Sequence, residues 1–521
     1  MLRFGFLLLC AASAALASLD ALHMLQLESY QLPGYFRWLG QNRARAFRWP
    51  ALIGLGGALA GLCLLLLAPS FAALRLIAPL LSLGLSLLWL FLRKKRPAKK
   101  PFKLTQRAAR LLLTAFLVNL FAAFLVSFPY GGLLSLLLPA FAAFSLPLAA
   151  FAVAPVERGV NLWYFRDAQR MLHDSPGLIK IGITGSYGKT STKFILGTIL
   201  SERYKTLVTP SSYNTPMGVT RVIREQLKPE HEVFVAEMGA RHRGDIREMC
   251  ELVPPDIGVL TSVGPQHLET FGSIETVAAT KFELIEAIGD EGHAFFAADG
   301  GWSEVLYAQA RVPKTLAGLK ENASVRAKAA SVSPEGSSFT LVSPAGEIEC
   351  QTRLLGRHNV QNICLCAAVA LHLGLSLDEV ARGIAKLQPV EHRLQLLRGA
   401  GGVTVIDDAF NANPEGAKAA LDVLMGFEGR RIVVTPGMVE LGSEEEARNR
   451  EFGRQMAGVA DVALLIGKRR AQPILEGLLE KGFNEESAHC LDDLAGATAF
   501  LAREGRPGDV VLFENDLPDN Y

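Results

Sequence analysis

Six consecutive residues, Gly185-Ser186-Tyr187-Gly188-Lys189-Thr190, have the types and spacing of a phosphate cradle. The two glycines let the backbone curl so that its N–H groups, with a helix N-terminus, surround a phosphate. Lys189 supplies a point charge to the terminal phosphates, and the Thr190 hydroxyl suits magnesium. Ile183 stands where the common GxxxxGK[ST] loop needs glycine, so this is a variant of that loop. A second candidate is Glu237, which closes the apolar run Val233-Phe-Val-Ala-Glu237. A carboxylate at the carboxyl end of a strand beside the loop is placed to hold a nucleotide's magnesium, although an ordinary strand-end acid would read the same way. Three more groups are unremarkable taken singly: His267 in Gly264-Pro-Gln-His267-Leu-Glu-Thr-Phe-Gly272, Lys281 on the helix that follows, and the acids of Asp407-Asp408-Ala-Phe-Asn411-Ala-Asn413-Pro414.

Positioning these groups requires an α/β scaffold. Leu178–Thr184 reads as a buried strand leading into the loop, and the chain from Thr190 reads as a helix. Val233–Glu237 and Ile257–Val263 read as two further buried strands. From about Gly401 the pattern restarts, with strands at Val403–Asp407, Arg431–Thr435, Val462–Ile466 and Val510–Phe513 separated by helices, which predicts a small doubly wound sheet.

Upstream the chain changes character. Residues 1–154 hold 15 of the 53 Lys/Arg but only two acids, Asp20 and Glu28, so a basic apolar segment precedes an acidic globular one. That split reads as membrane anchor plus soluble enzyme and argues against a nucleic-acid partner. Apolar runs at Ala51–Leu67, Phe71–Leu92, Leu111–Phe128 and Leu133–Ala154 have spanning or near-spanning length; a shorter one, Phe4–Leu19, reads as a retained span or as a secretory signal. Arg37, Arg43, Arg45 and Arg48 lie between the first two runs, and seven bases from Arg93 to Lys103 between the third and fourth, whereas the other turns carry none. Positive loops stay inside, so five spans predict an external N-terminus, a multi-pass protein of the plasma membrane, and cytoplasmic catalytic domains in contact with membrane lipid. The seven cysteines show neither zinc spacing nor a disulfide framework and read as small core residues.

Thr184-Gly-Ser-Tyr-Gly-Lys-Thr-Ser-Thr192 resembles the TGxxGKT[ST] loop of the Mur ligases and folylpolyglutamate synthases. Those enzymes phosphorylate a carboxylate with ATP, and an amine then displaces phosphate from the acyl phosphate. Glu237-Met-Gly-Ala-Arg-His-Arg-Gly-Asp245, then Val263-Gly-x-x-His267-Leu-Glu-x-Phe-Gly272, then the helix lysine, follow the Mur ligase order. The resemblance implies Thr190, Glu237 and His267 as magnesium ligands, Lys189 and His267 as catalytic groups, and a carbamylated Lys281 that positions a second ion. It further implies nucleotide contacts from Gly185, Ser186, Gly188, Lys189 and Thr190, from Asn359 and Asn362 in Gly356-Arg-His-Asn-Val-Gln-Asn362, from Arg393, and from Asp407 and Asn411. A helix cap is the plainer account of Asn359. The DDAFNANP segment and Gly437-Met-Val-Glu440-Leu-Gly442 resemble the MurF-type branch, which joins D-alanyl-D-alanine to UDP-muramoyl tripeptide.

The implied organisation is a helical transmembrane domain (residues 1–154), a P-loop α/β central ATP-binding domain (155–394) and a Rossmann-like C-terminal domain (395–521). Its implied activity is ATP- and magnesium-dependent amide ligation in wall-precursor synthesis. Two departures stand out: Phe410 replaces the usual tyrosine, and residues 155–177 are too few for the family's separate UDP-binding domain. The acceptor is therefore read as a muramoyl peptide carried on UDP or on a lipid, and the amine as an amino acid or dipeptide. The rival readings are a ligase making a poly-amino-acid or other membrane-attached amide, and a P-loop ATPase coupled to transport.

Overall fold

The computed structural model describes the chain apart from residues 1, 29, 68–75, 93–100, 131–132, 211–212, 267, 410–412, 440 and 516–521. Two units divide between Leu162 and Trp163. The first is helical: α1 (Leu2–Ala17), α2 (Leu19–Leu27), α3 (Leu32–Gln41), α4 (Arg43–Leu67), α5 (Ile77–Leu92), α6 (Gln106–Tyr130) and α7, which starts at Ala142 and runs to His173. Among the described residues three segments are long and apolar enough to cross a membrane: Ala46–Leu67, Gln106–Ser127 and Leu133–His173. α1 and α2 reach that length only together, with a 42° bend; α5 is the described part of the run Phe71–Leu92, whose residues 71–75 lie outside the described residues.

Aliphatic and aromatic side chains point outward from these helices, with Phe91 90% and Phe151 80% exposed, as expected where lipid is the solvent. Without a hydrophobic force between helices in lipid, hydroxyls hold them together. Buried Ser13 on α1 bonds Ser82 and Ser86 on α5, both at 2.9 Å. On α7, Glu157 takes a 2.6 Å hydrogen bond from Arg110 on α6 and faces Arg107, so the apolar stretch ends in an ion cluster. Of the basic segment Arg93–Lys103, residues 93–100 lie outside the described residues, as do the turns at Pro69-Ser70 and Gly131-Gly132.

The second unit holds two sheets. β1 (Ile179–Thr184), β2 (Thr206–Val208), β3 (Val233–Glu237), β4 (Ile257–Leu260), β5 (His293–Ala298), β6 (Lys314–Gly318), β7 (Val325–Ser333), β8 (Gly336–Ser343) and β9 (Gly346–Thr352) are ordered β2-β3-β1-β4-β5-β6-β7-β8-β9. Pairing is parallel from β2 to β7 and antiparallel beyond. Every residue of β3 is buried because helices cover both faces, the condition for an all-apolar parallel strand. On one face α8 (Lys189–Leu200) and the helix Arg357–His372 pack Ile195, Leu196, Ile363 and Cys364 on Ile181, Ile183 and Val259. On the other, Leu284 from the helix Ile274–Glu286 meets Phe234 and Leu260. That helix approaches closely because β1 and β4 offer glycines: a Cβ on Gly182 would lie 2.7 Å from Leu284, and one on Gly258 2.6 Å from Ile288. The cysteines behave mostly as core: Cys10, Cys250, Cys350, Cys364 and Cys366 are buried and unbridged, while Cys63 and Cys490 are exposed.

β10 (Gln395–Arg398), β11 (Thr404–Asp408), β12 (Arg431–Thr435), β13 (Val462–Ile466), β14 (Ala488–Leu491) and β15 (Val510–Glu514) form the second sheet, ordered β10-β11-β15-β12-β13-β14. Only β10 is antiparallel to its neighbour. Four of these strands are those read from the sequence; β10 and β14, four residues each, are not. Phe452 fills the core under this sheet together with Ile406, Val433, Leu465 and Ile474. Phe452→Ala should remove about 3–5 kcal/mol of stability through the cavity it leaves; thermal unfolding followed by circular dichroism checks this.

Candidate active site

β1 delivers the phosphate loop at its carboxyl end, and the backbone there requires glycine. Gly185 has φ +149° and Gly188 φ +78°. A Cβ on Gly185 would lie 1.9 Å from Thr261 Oγ1, and one on Gly188 3.1 Å from Asn362 Oδ1. The loop is clamped to the segment leaving β4: Ser186 N donates to Ser262 O at 2.7 Å and Ser186 Oγ to Gly264 O at 2.9 Å. Thr261 Oγ1 donates to Tyr187 O at 2.6 Å, and the Tyr187 hydroxyl to Pro265 O at 3.2 Å. The Lys189 ammonium folds over the loop onto Gly185 O (2.7 Å) and Ser186 O (2.9 Å). Burial brings its pKa down to about 8, helped by the Arg393 charge and opposed by Glu237.

Glu237 is 1% exposed and fully engaged. Thr190 Oγ1 donates to its Oε1 at 3.2 Å and Asn214 Nδ2 to the same oxygen at 3.1 Å. Lys193, also buried, holds Oε2 at 3.0 Å. Burial by itself would raise this carboxyl, but the charges of Lys193 and Lys189 and the two side-chain amine and amide hydrogen bonds hold it below the usual carboxylate range. The sequence reading missed Lys193 and Asn214. Lys193 carried a signal, since it lies one helical turn after Lys189 and therefore on the same face of α8; Asn214 carried none. His267 lies outside the described residues, and among the described residues no group of three or more His, Cys, Asp or Glu could hold a metal. The oxygen donors that do converge, the Thr190 hydroxyl and Glu237 Oε1, are hard ligands of the kind magnesium takes.

Lys281 is 2% exposed on the helix Ile274–Glu286. Burial and the charge of Lys189 push its pKa well below the usual amine value, against the pull of Asp245, Glu283 and Glu237. Glu283, on the same helix, accepts from Gly244 N (2.9 Å) and Arg247 N (3.0 Å), which pins the loop after β3.

A cavity of about 470 Å³ opens beside the phosphate loop, lined by Thr190, Ser191, Phe194, Asn359, Pro389 and Arg393 among others. Asn359 is the third residue of its helix, and Gly356 is the cap, so the capping account fails; its amide donates instead to Leu355 O at 2.8 Å. Asn362 packs on Gly188. Asp407 holds the His392 ring, Oδ2 to Nδ1 at 2.7 Å, while Asp408 is the acid on which the Arg393 charge acts. Asn411 and Phe410 lie outside the described residues. Asn413 caps the helix Pro414–Met425 by accepting from Gly416 N at 2.9 Å.

Comparison with known proteins agrees with this layout. Residues 183–370 match the model of the Mur ligase middle domain, and residues 392–514 that of the Mur ligase glutamate ligase domain. The UDP-N-acetylmuramoyl-tripeptide–D-alanyl-D-alanine ligase of Mycobacterium bovis is 35% identical over 361 residues, covering 64% of this chain and 70% of that protein. The enzyme of that name from Escherichia coli is 34% identical over 295 residues, covering 56% and 64%. A crystal structure of MurF from Acinetobacter baumannii superposes with TM-score 0.64 at 28% identity, covering 69% of this chain and 78% of that one. MurF from Thermotoga maritima in complex with ADP gives 0.61 at 26% identity, covering 68% and 80%.

Two substitutions test the cradle. Gly185→Ala should abolish ADP binding, because the methyl group strikes Thr261 in a backbone conformation that alanine avoids. Lys189→Ala should lower turnover by about 100-fold or more with an unchanged circular dichroism spectrum. Titration calorimetry and a phosphate-release assay measure these effects, and retention within a few-fold would refute the assignment.

Proposed function

Because this chain belongs to the Mur ligase family of ATP-dependent acid–amino-acid ligases, we propose that it joins D-alanyl-D-alanine, or a similar amine, to a muramoyl tripeptide through an acyl phosphate. The observation that carries this reading is the convergence of Lys189, Thr190 and Glu237 at the mouth of the phosphate loop, with buried Lys281 behind it. A transport ATPase needs the first three but has no use for a second buried lysine.

Each residue has a task in the proposed reaction. The loop N–H groups and Lys189 bind phosphates and offset the charge that builds as the acceptor carboxylate is phosphorylated. Asn359 and Arg393 bound the space for the nucleotide, with Asp407 holding His392 in the same wall, Asn362 packed on Gly188 of the loop and Asn411 added by family resemblance. Magnesium would be held by Thr190 and Glu237 Oε1, with His267 added by resemblance, and bound there it would neutralise phosphate charge. Lys193 holds Oε2, so the ion would meet Glu237 at Oε1, in place of a hydrogen bond that Oε1 accepts from Thr190 or Asn214. Burial and the Lys189 charge lower the pKa of Lys281, which favours its neutral, nucleophilic amine. Such an amine can add to carbon dioxide, losing a proton to give a carbamate, the anionic group that a second ion would require.

Residues 1–154 form the membrane domain in this reading, 155–394 the central domain and 395–521 the C-terminal domain. The loop charges support an arrangement in which the catalytic domains face the cytoplasm. The short 155–177 stretch favours an acceptor held by other means than a UDP-binding domain, and a lipid-linked muramoyl peptide at the membrane surface is the second reading.

Full-length protein in lipid should consume ATP only when both acceptor and amine are present. Comparing UDP-linked with lipid-linked muramoyl tripeptide, each with D-alanyl-D-alanine, and detecting product by mass spectrometry separates the two acceptors. Phosphate release with neither substrate present would favour the transporter. Lys281→Ala should be inactive and regain part of its activity with short-chain carboxylic acids; full activity without them would leave Lys281 only a structural role.

A further inference from the structure

Two acids lie side by side at the carboxyl ends of β11 and β15, where ligands of such sheets bind. Asp408 and Glu514 are register partners in the parallel ladder. Their side chains share a hydrogen bond, which needs a proton between them, because ionised carboxylates only accept. Glu514 is 1% exposed and, among the described residues, its Oε2 has no hydrogen-bond partner, so ionising Glu514 would place a second buried charge beside that of Asp408. Asp408 Oδ1 accepts from Leu394 N at 3.1 Å. The charged groups facing the pair are Arg393 and His392, from the segment entering β10, and Asp407 on β11; Asp407 is engaged by His392. With one shared proton the two acids carry one negative charge, which matches the single positive charge of Arg393.

The segment they hold is strained. His392 and Leu394, either side of Arg393, both have left-handed backbone, φ +59° and +45°, a conformation that non-glycine residues keep only where the surroundings enforce it. Leu394 N on Asp408 and His392 on Asp407 are those enforcing contacts. Between them stands Arg393, in the wall of the cavity next to Thr190.

We propose that Glu514 is a positioning residue for ligation: by sharing a proton with Asp408 it fixes that carboxyl against Leu394 and Arg393, and so sets the guanidinium in the nucleotide cavity. This rests on the cavity being the nucleotide site. Glu514 touches no substrate in this scheme and acts only through Asp408. Burial pushes Asp408 up to about 6, partly opposed by Arg393, and pushes Glu514 well above the usual carboxylate range, with the Asp408 charge adding to it. Both shifts favour keeping the shared proton. As pH falls through about 6 the pair gains a second proton, and Arg393 loses the neighbouring charge of Asp408.

Glu514→Gln preserves a donor to Asp408 but removes the titrating proton, whereas Glu514→Leu removes the donor. In full-length protein, Glu514→Leu should raise KM for ATP about tenfold with a smaller change in kcat. Glu514→Gln should keep KM near the wild-type value and move the acid limb of kcat/KM below its wild-type position. A melting curve gives a readout independent of turnover. Unfolded Glu514 ionises at about pH 4.3 while burial raises the pKa of the folded residue, so its contribution to stability falls as pH rises. Glu514→Gln should therefore raise Tm more at pH 8 than at pH 5. Wild-type protein that binds no ADP would overturn the ligase reading and this proposal together. Wild-type binding, with unchanged KM in Glu514→Leu and an unmoved acid limb in Glu514→Gln, would overturn the proposal alone. Should Glu514→Leu fail to fold, the Glu514→Gln pH profile and melting curve decide.

Discussion

A carboxylate at 1% exposure, Glu237, makes demands on everything around it. An ion taken out of water is tolerated only where hydrogen bonds and opposite charge replace the lost hydration. Glu237 receives Lys193, Thr190 and Asn214, and in receiving them it fixes the start of α8, the residue after which the phosphate loop ends, and the segment that follows β2. Removing Lys193 would take the ion-pair partner from a buried carboxylate, and removing Glu237 would take that carboxylate from a buried ammonium. The loop geometry therefore depends on a pair whose own energetic worth is small but whose disruption is costly. The cost in desolvation is offset by the Lys193 charge and by the hydrogen bonds from Thr190 and Asn214.

The remaining parts reach this centre by close packing. Gly182 and Gly258 remove side chains from the sheet under the helix Ile274–Glu286, which brings Lys281 inward until burial and the neighbouring Lys189 depress its pKa. On the opposite face the helix Arg357–His372 sits so near the loop that Asn362 touches the position a Gly188 side chain would take. The loop is thus held between two helices by backbone approach, with Thr261 and Ser262 clamping it from the end of β4. Rigidity of this kind is what a site for charge stabilisation needs, since donors already in place need no reorganisation when charge develops.

The helical unit obeys a different solvent. Its outward face is rich in leucine and phenylalanine, its interior sets many alanines and serines beside Leu22, Tyr35 and Trp38, and Ser13 pairs with Ser82 and Ser86. Three full-length apolar helices exceed what attachment requires, because one helix already inserts in an effectively irreversible way.

The sequence by itself determined the class of chemistry and most of the scaffold. Gly185, Gly188, Lys189 and Thr190 announce a phosphate loop because backbone freedom, charge and hydroxyl are local properties, legible from spacing alone. Long apolar runs and repeated strand–helix alternation are equally local, which is why the C-terminal strands at 404–408, 431–435, 462–466 and 510–514 were readable to within a residue. The short β2, β10 and β14, and the antiparallel β7-β8-β9 ladder, were not, because such strands are made by their neighbours. Only tertiary structure decided that Thr190 and Asn214 share one oxygen of Glu237, that Lys193 rather than solvent sits on the other, and that Gly356 rather than Asn359 caps its helix. The same holds for Asp408 and Glu514, which stand about a hundred residues apart in the chain and meet because β15 is inserted between β11 and β12. Charge compensation acts through space over a few ångströms, so a linear pattern can name the groups that need partners but not the partners themselves.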